Sequence, residues 1–259
     1  MVFVDDQVEI YYDIRGDRGE KVLLLHGWGC EGKTMKPVSD ALEDQFQVMA
    51  IDFPGHGQSK KPDSPWGVPE YAELLMKLLK ETGFIPCHVI AHSFGCRVAA
   101  WIAAEYPKTF GKMVLTGAAG LRPKETEESR KRKRKYARLK SFWMKMERVP
   151  GFSASAQRAM ARLRDRYSSA DYKALDEDMK KTFVRIVNQD LRNIYPRIQQ
   201  STLLVWGDLD QETPLWMGRE MEKLIPDAGL VLLEGGTHFA FLEQIGRFNL
   251  IVKHFLTEA

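Results

Sequence analysis

The sequence predicts an α/β fold, a mostly parallel sheet with helices on both faces and an inserted helical cap. Three observations carry this. Short apolar runs alternate with amphipathic segments at both ends of the chain, which is the pattern of strands alternating with helices. The alternation stops between residues 121 and 197, where every periodic segment is helical. Charge divides at the same place, with 22 Lys/Arg against 10 Asp/Glu from Leu121 to Arg197, a net of +12, and a net of −9 over the rest. A composition of 44% apolar and 28% charged residues over 259 positions excludes a disordered or fibrous chain. A chain of this size can bury its core without a disulfide or metal.

The elements follow in order. Val8-Glu9-Ile10-Tyr11-Tyr12 alternates and reads as an antiparallel edge strand. Val22–Leu25, Val48–Ile51, Val89–Ala91, Met113–Leu115, Leu203–Trp206 and Leu230–Leu233 are compact apolar runs, which read as strands buried on both faces. Helical patterns lie between them at Pro37–Leu42, Tyr71–Leu79, Cys96–Glu105, Trp216–Leu224 and Phe241–Phe255. In the insertion, Tyr136, Leu139, Trp143 and Met146 share one helical face, and Pro150-Gly151 breaks the helix. Further helices are expected at Ala156–Arg166 and Met179–Leu191, the second with a stripe of Phe183, Ile186, Val187 and Leu191. The expected organisation is a core of residues 1–120 and 198–259 and a helical cap of 121–197.

The run Arg130-Lys131-Arg132-Lys133-Arg134-Lys135 admits two readings. One is a patch for nucleic acid or an anionic surface. The other is a solvated helix face compensated by Glu125, Glu127 and Glu128. No nucleic-acid motif accompanies the run, so no nucleic-acid partner is expected. No apolar stretch reaches the ~18 residues that read as a membrane span. The first residues lack the basic and apolar regions of a signal peptide. Cys30, Cys87 and Cys96 are scattered and odd in number, against a disulfide framework or a cysteine zinc site. A cytoplasmic location is expected. No HExxH, P-loop, dinucleotide fingerprint or carboxylate cluster occurs, so neither cofactor nor metal is expected.

Chemistry concentrates in Val89-Ile90-Ala91-His92-Ser93-Phe94-Gly95-Cys96, which joins a strand to a helix. It approaches the G-x-S-x-G turn that exposes a serine nucleophile, with Ala91 in place of the first glycine. Small neighbours are required because strand and helix approach closely there. Serine also caps helices, so alone this segment admits a structural reading. Two further stretches, Leu25-His26-Gly27-Trp28-Gly29 and Asp52-Phe53-Pro54-Gly55-His56-Gly57-Gln58-Ser59, each follow a predicted strand. With HGWG, DFPGHGQS and AHSFG in this order and spacing, the sequence resembles the α/β-hydrolase superfamily, over roughly residues 8–120 and 198–259.

The resemblance implies an eight-stranded sheet, a Ser-His-Asp triad and a cap over the active site. A serine hydroxyl needs a base. The family places it after the last core strand, which selects His238 in Glu234-Gly235-Gly236-Thr237-His238-Phe239. The acid follows the preceding strand with the pattern G-x-x-D, which selects Asp210 over its neighbour Asp208. Some relatives carry the acid after an earlier strand, but Thr116-Gly117-Ala118-Ala119-Gly120 holds no carboxylate. The backbone N–H groups of Trp28 and Phe94 are the implied oxyanion donors. His26 and His56 are implied to be structural, whereas His92, the variable position beside the nucleophile, admits either lining the pocket or a packed or partly exposed place. Trp28, Phe142, Trp143, Met146 and Phe239 are the candidate substrate-pocket residues, favouring an apolar or aromatic acyl group on a small-molecule ester. Ser93 in place of aspartate disfavours dehalogenation and epoxide opening. The expected function is carboxylic ester hydrolysis through an acyl-enzyme. The same triad could serve thioesters, lactones, C–C bonds, or a lyase or perhydrolase reaction, and a non-turnover ligand receptor on this fold is the alternative of another class.

Overall fold

The structure, a computed structural model, describes every residue except 6, 7, 124–126, 148, 150, 151, 168–171, 173, 174 and 259. Among the described residues eight strands form one sheet: β1 Val2–Asp5, β2 Val8–Arg15, β3 Lys21–Leu25, β4 Gln47–Ile51, β5 Cys87–His92, β6 Phe110–Thr116, β7 Thr202–Gly207 and β8 Ala228–Leu233. Their spatial order is β1-β2-β4-β3-β5-β6-β7-β8. β2 runs antiparallel to both of its neighbours, and every pairing from β4 to β8 is parallel.

The fully buried run of β3 shows why the sheet is covered twice. Leu23 and Leu25 join an apolar cluster with α2 (Val68–Glu81) and α3 (Phe94–Glu105), through Tyr71, Leu75, Val98 and Ile102. Val22 and Leu24 point the other way, into a cluster with Val38 and Leu42 of α1 (Lys36–Leu42) and with the C-terminal helix. Successive strand residues face opposite sides, so a continuous apolar run needs a helix layer on each.

The chain divides into two compact units, Met1–Leu121 with Lys181–Ala259, and Arg122–Lys180. The second holds α4 (Glu127–Met146) and α5 (Ser153–Tyr167). On α4, Tyr136, Leu139, Trp143 and Met146 are partly buried, as their shared face predicts, whereas Phe142 and Met144 are exposed. Pro150, Gly151 and Glu125, given roles from sequence, lie outside the described residues. α6 (Glu177–Asn188) crosses the boundary between the units. Residues 181–197 are tied into the first unit: Arg97 donates to the Gln189 carbonyl at 2.8 Å, and the Leu191 N–H to the Gly120 carbonyl at 2.9 Å. Val187 is exposed, so the expected apolar stripe of α6 narrows to Phe183 and Ile186, with Leu191 beyond its end. The first unit closes with α7 (Trp216–Leu224), α8 (Ala240–Glu243) and α9 (Ile245–Thr257).

Three boundaries differ from expectation. β1 takes the edge position assigned to Val8–Tyr12, so β2 is an inner strand. Residues Phe241–Phe255 are not one helix, because Gln244 leaves helical geometry (φ −120°, ψ 45°) and its side chain reaches the Glu234 carbonyl at 2.8 Å. α3 begins at Phe94, immediately after Ser93.

Candidate active site

Ser93 stands between β5 and α3 with φ 49° and ψ −105°, the one non-glycine residue with positive φ among those described. Such a conformation costs about 1–3 kcal/mol and persists only where its surroundings hold it. They do so here. The Ser93 N–H donates to the Thr116 carbonyl at 3.1 Å, and the Ser93 carbonyl accepts from Ala119 at 3.3 Å. Gly95 must be small: a Cβ there would lie 2.7 Å from the Leu25 carbonyl oxygen and 2.9 Å from that of His26. The Ser93 side chain makes no helix-capping hydrogen bond.

The Ser93 hydroxyl instead reaches His238. Ser93 Oγ lies 3.0 Å from His238 Nε2, and His238 Nδ1 lies 2.8 Å from Asp210 Oδ2. An ionised carboxylate only accepts, so Nδ1 carries the proton and Nε2 presents a lone pair to the hydroxyl. The Asp210 side chain is fully buried and that of His238 is 15% exposed. Burial alone would push the Asp210 carboxyl up. Hydrogen bonds from His238 and Thr213 outweigh it and hold the group below the ordinary carboxylate value. Asp210 Oδ1 accepts the N–H groups of Glu212 and Thr213 at 2.9 and 2.8 Å. Asp208 does something else, accepting the Gly235 N–H at 2.6 Å and so pinning the loop that carries His238.

Two residues in this arrangement were missed from sequence. Thr213 Oγ1 lies 2.7 Å from Asp210 Oδ2, 3.1 Å from the Gly117 carbonyl and 3.2 Å from His238 Nδ1. Gly117 has φ +51°, and a Cβ there would stand 3.2 Å from His238 Nδ1 and 3.4 Å from Asp210 Oδ2. The glycine after β6 was a visible signal, whereas nothing in the sequence distinguishes the Thr213 hydroxyl.

Around the triad, His26 is fully buried. Its Nδ1 donates to the Gly27 carbonyl at 2.7 Å and its Nε2 accepts from the Phe53 N–H at 3.0 Å. Burial, reinforced by His56, lowers its pKa to about 3, so it is a neutral structural ring. His56 is likewise pushed down by burial and packs edge-on to Trp28 at 4.7 Å. Trp28 meets Phe94 at 5.3 Å and Phe183 at 5.4 Å, ring centre to ring centre. Phe94 opens α3, where the leading N–H groups of a helix have no partner inside it. Phe239 lies beside His238 at 5.6 Å. Phe142, Trp143 and Met146 lie on α4 in the second unit, the first two rings 5.1 Å apart. Cys96 is buried, its thiol pushed up by desolvation, and its Sγ meets the Ala91 carbonyl at 3.1 Å. No helix among the described residues is long and apolar enough to cross a membrane.

Comparison with known proteins extends this geometry. The family described as alpha/beta hydrolase fold matches residues 21–244. The uncharacterized protein Rv2715 of Mycobacterium tuberculosis H37Rv is 26% identical over 92% of this chain and 75% of its own length. A pimeloyl-acyl-carrier-protein methyl ester esterase of Chromobacterium violaceum is 26% identical over 93% of this chain and 96% of its own. Among solved structures, the enol-lactonase of Burkholderia xenovorans LB400 superposes with a TM-score of 0.76 at 22% identity, covering 100% of both chains. At that identity the likeness is one of fold.

Proposed function

This chain belongs to the α/β-hydrolase family, and we propose that it cleaves carboxylic esters through an acyl-enzyme on Ser93. The observation that carries this reading is the hydrogen-bonded relay from Ser93 through His238 to Asp210, at 3.0 and 2.8 Å. In the first half-reaction Ser93 Oγ attacks the carbonyl carbon and its proton passes to His238 Nε2. Asp210 keeps the imidazole tautomer and stabilises the imidazolium. The N–H groups of Trp28 and Phe94 hold the oxyanion, each such donor being worth about 2.7–4 kcal/mol. The tetrahedral adduct collapses, the C–O bond breaks, and the alkoxide leaves with the proton from His238. Water then gives a proton to His238 as its oxygen attacks the acyl-serine, the Ser93 Oγ–acyl bond breaks, His238 returns the proton to Ser93, and the carboxylic acid leaves.

The substrate is a small molecule with an apolar or aromatic acyl group. Trp28, packed against Phe94, and Phe239, beside His238, are the pocket residues this reading assigns in the first unit. The Chromobacterium relative, named as a methyl ester esterase, supports the ester over the thioester or C–C alternatives. Steady-state hydrolysis of p-nitrophenyl esters of increasing acyl length tests this, with thioester and lactone panels alongside. Turnover on oxygen esters with an optimum at short to medium acyl chains is expected. Preferred turnover of the thioesters or lactones would replace the substrate class, and tight ligand binding without turnover would favour the receptor.

A further inference from the structure

His92 occupies the position before Ser93 and is 1% exposed. Its Nε2 lies 3.0 Å from the backbone carbonyl of His238. A carbonyl only accepts, so Nε2 carries the ring proton and Nδ1 is a bare acceptor. That Nδ1 is buried with no hydrogen-bond partner among the described residues. The ring is flanked by His238 at 4.8 Å, Phe239 at 5.0 Å and Phe241 at 4.8 Å. Space for it is kept by Gly27, where a Cβ would stand 2.7 Å from His92 Nδ1 and 3.2 Å from Ser93 Cβ. Burial lowers the His92 pKa to about 3, so the ring beside the base stays uncharged.

An apolar ring would fill this slot and leave no orphaned nitrogen, so packing does not explain a histidine. The Nε2–H bond does. His92 and Ser93 are consecutive and grip the two ends of one residue: Ser93 Oγ meets the His238 ring, and His92 holds the His238 carbonyl. Resting on the serine-hydrolase reading above, we propose that His92 is a positioning residue, which registers the loop of the base to the strand of the nucleophile through its Nε2–H. A second imidazolium 4.8 Å from His238 would oppose the charge that His238 gains on taking the serine proton, and a neutral His92 avoids this.

The test compares the full chain with His92→Phe, which keeps an aromatic ring, and His92→Gln, which keeps an N–H donor. Ester turnover, the saturation kinetics of fluorophosphonate labelling and melting temperature are measured on each. In His92→Phe, kcat and the limiting labelling rate are expected to fall roughly 10–100-fold, with KM and melting temperature little changed. His92→Gln should recover most of the loss. Rates within twofold of the parent in His92→Phe, or a Gln variant as slow as Phe, would overturn the proposal. 15N-histidine NMR decides without turnover: an Nε2–H tautomer of His92 at neutral pH, and displaced His238 ring signals in His92→Phe, are expected. An Nδ1–H or charged His92 would overturn it. Failure of the serine-hydrolase reading shows separately, as a parent chain that neither turns over nor labels.

Discussion

Ser93 holds a backbone angle that serine elsewhere avoids, and its hydroxyl points at His238 instead of capping α3. Such a conformation persists only where surrounding hydrogen bonds hold it. Asp210 meets the His238 ring through Oδ2. Its replacement by asparagine keeps the shape but presents an amide that can donate to Nδ1 and favour the wrong tautomer. Asp210→Asn is therefore expected to lower kcat by roughly 10³–10⁴-fold, read in the same ester assay with KM little changed. Asp208→Asn, which touches the Gly235 N–H instead, should leave the tautomer intact and cost less than tenfold. Equal losses in the two variants would reverse the assignment of Asp210 over Asp208. The meeting of Ser93, His238 and Asp210 was legible, because the motifs place each at the end of a different strand and the structure brings the three side chains within hydrogen-bond distance. The contacts of Thr213 and His92 were not. A hydroxyl or an imidazole gains such partners from where distant loops converge, and no local spacing encodes that.

The elements meet through glycine. Gly95 lets α3 approach the end of β3, and its N–H bonds the His26 carbonyl at 3.2 Å. A Cβ at Gly207 would stand 2.3 Å from the Gly236 carbonyl oxygen, so the loop of Asp210 and the loop of His238 also lie in contact. Gly95→Val forces strand and helix apart. A stability loss of about 1–3 kcal/mol or more is expected in urea unfolding, with activity lost beyond what unfolding accounts for. Unchanged stability would mean that the approach is looser than these distances. At this scale the buried strands read clearly, since continuous apolar runs mean two covered faces. β1 did not, because a four-residue edge strand buries only Phe3 and leaves Val2 and Val4 exposed. The break at Gln244 was hidden too. Its cause is a side chain bonded to Glu234, a contact outside helical periodicity.

At the scale of the whole molecule, two buried neutral histidines are expected to weaken the fold in acid. His26 and His92 both fall from 6.5 to about 3, chiefly because burial disfavours the charged ring. A folded-state pKa below the unfolded value stabilises the native state above pH 6.5, and that contribution is lost as pH falls toward 3. Each ring costs about 1.4 kcal/mol per pH unit within that window. Asp210 adds in the same direction below the ordinary carboxylate range. Urea midpoints should therefore decline steadily below pH 6.5, and His92→Phe should flatten the slope by about one proton. Midpoints flat down to pH 4 would contradict the burial of these rings. The periodicity between residues 121 and 197 made helices there legible, whereas the compact unit ends at Lys180 and residues 181–197 belong with the first unit. The substrate was not legible, because fold and triad serve many reactions and selectivity lies in pocket shape.

Ser93, on the proposal above, is a nucleophile activated by His238 and Asp210. Intact-mass and peptide analysis after fluorophosphonate treatment tests it most directly, on the parent chain, Ser93→Ala and Asp210→Asn. One adduct per chain on the Ser93 peptide, absent from Ser93→Ala and strongly slowed in Asp210→Asn, is the predicted result. An adduct on another residue, or a folded parent chain that takes no label, would contradict the account.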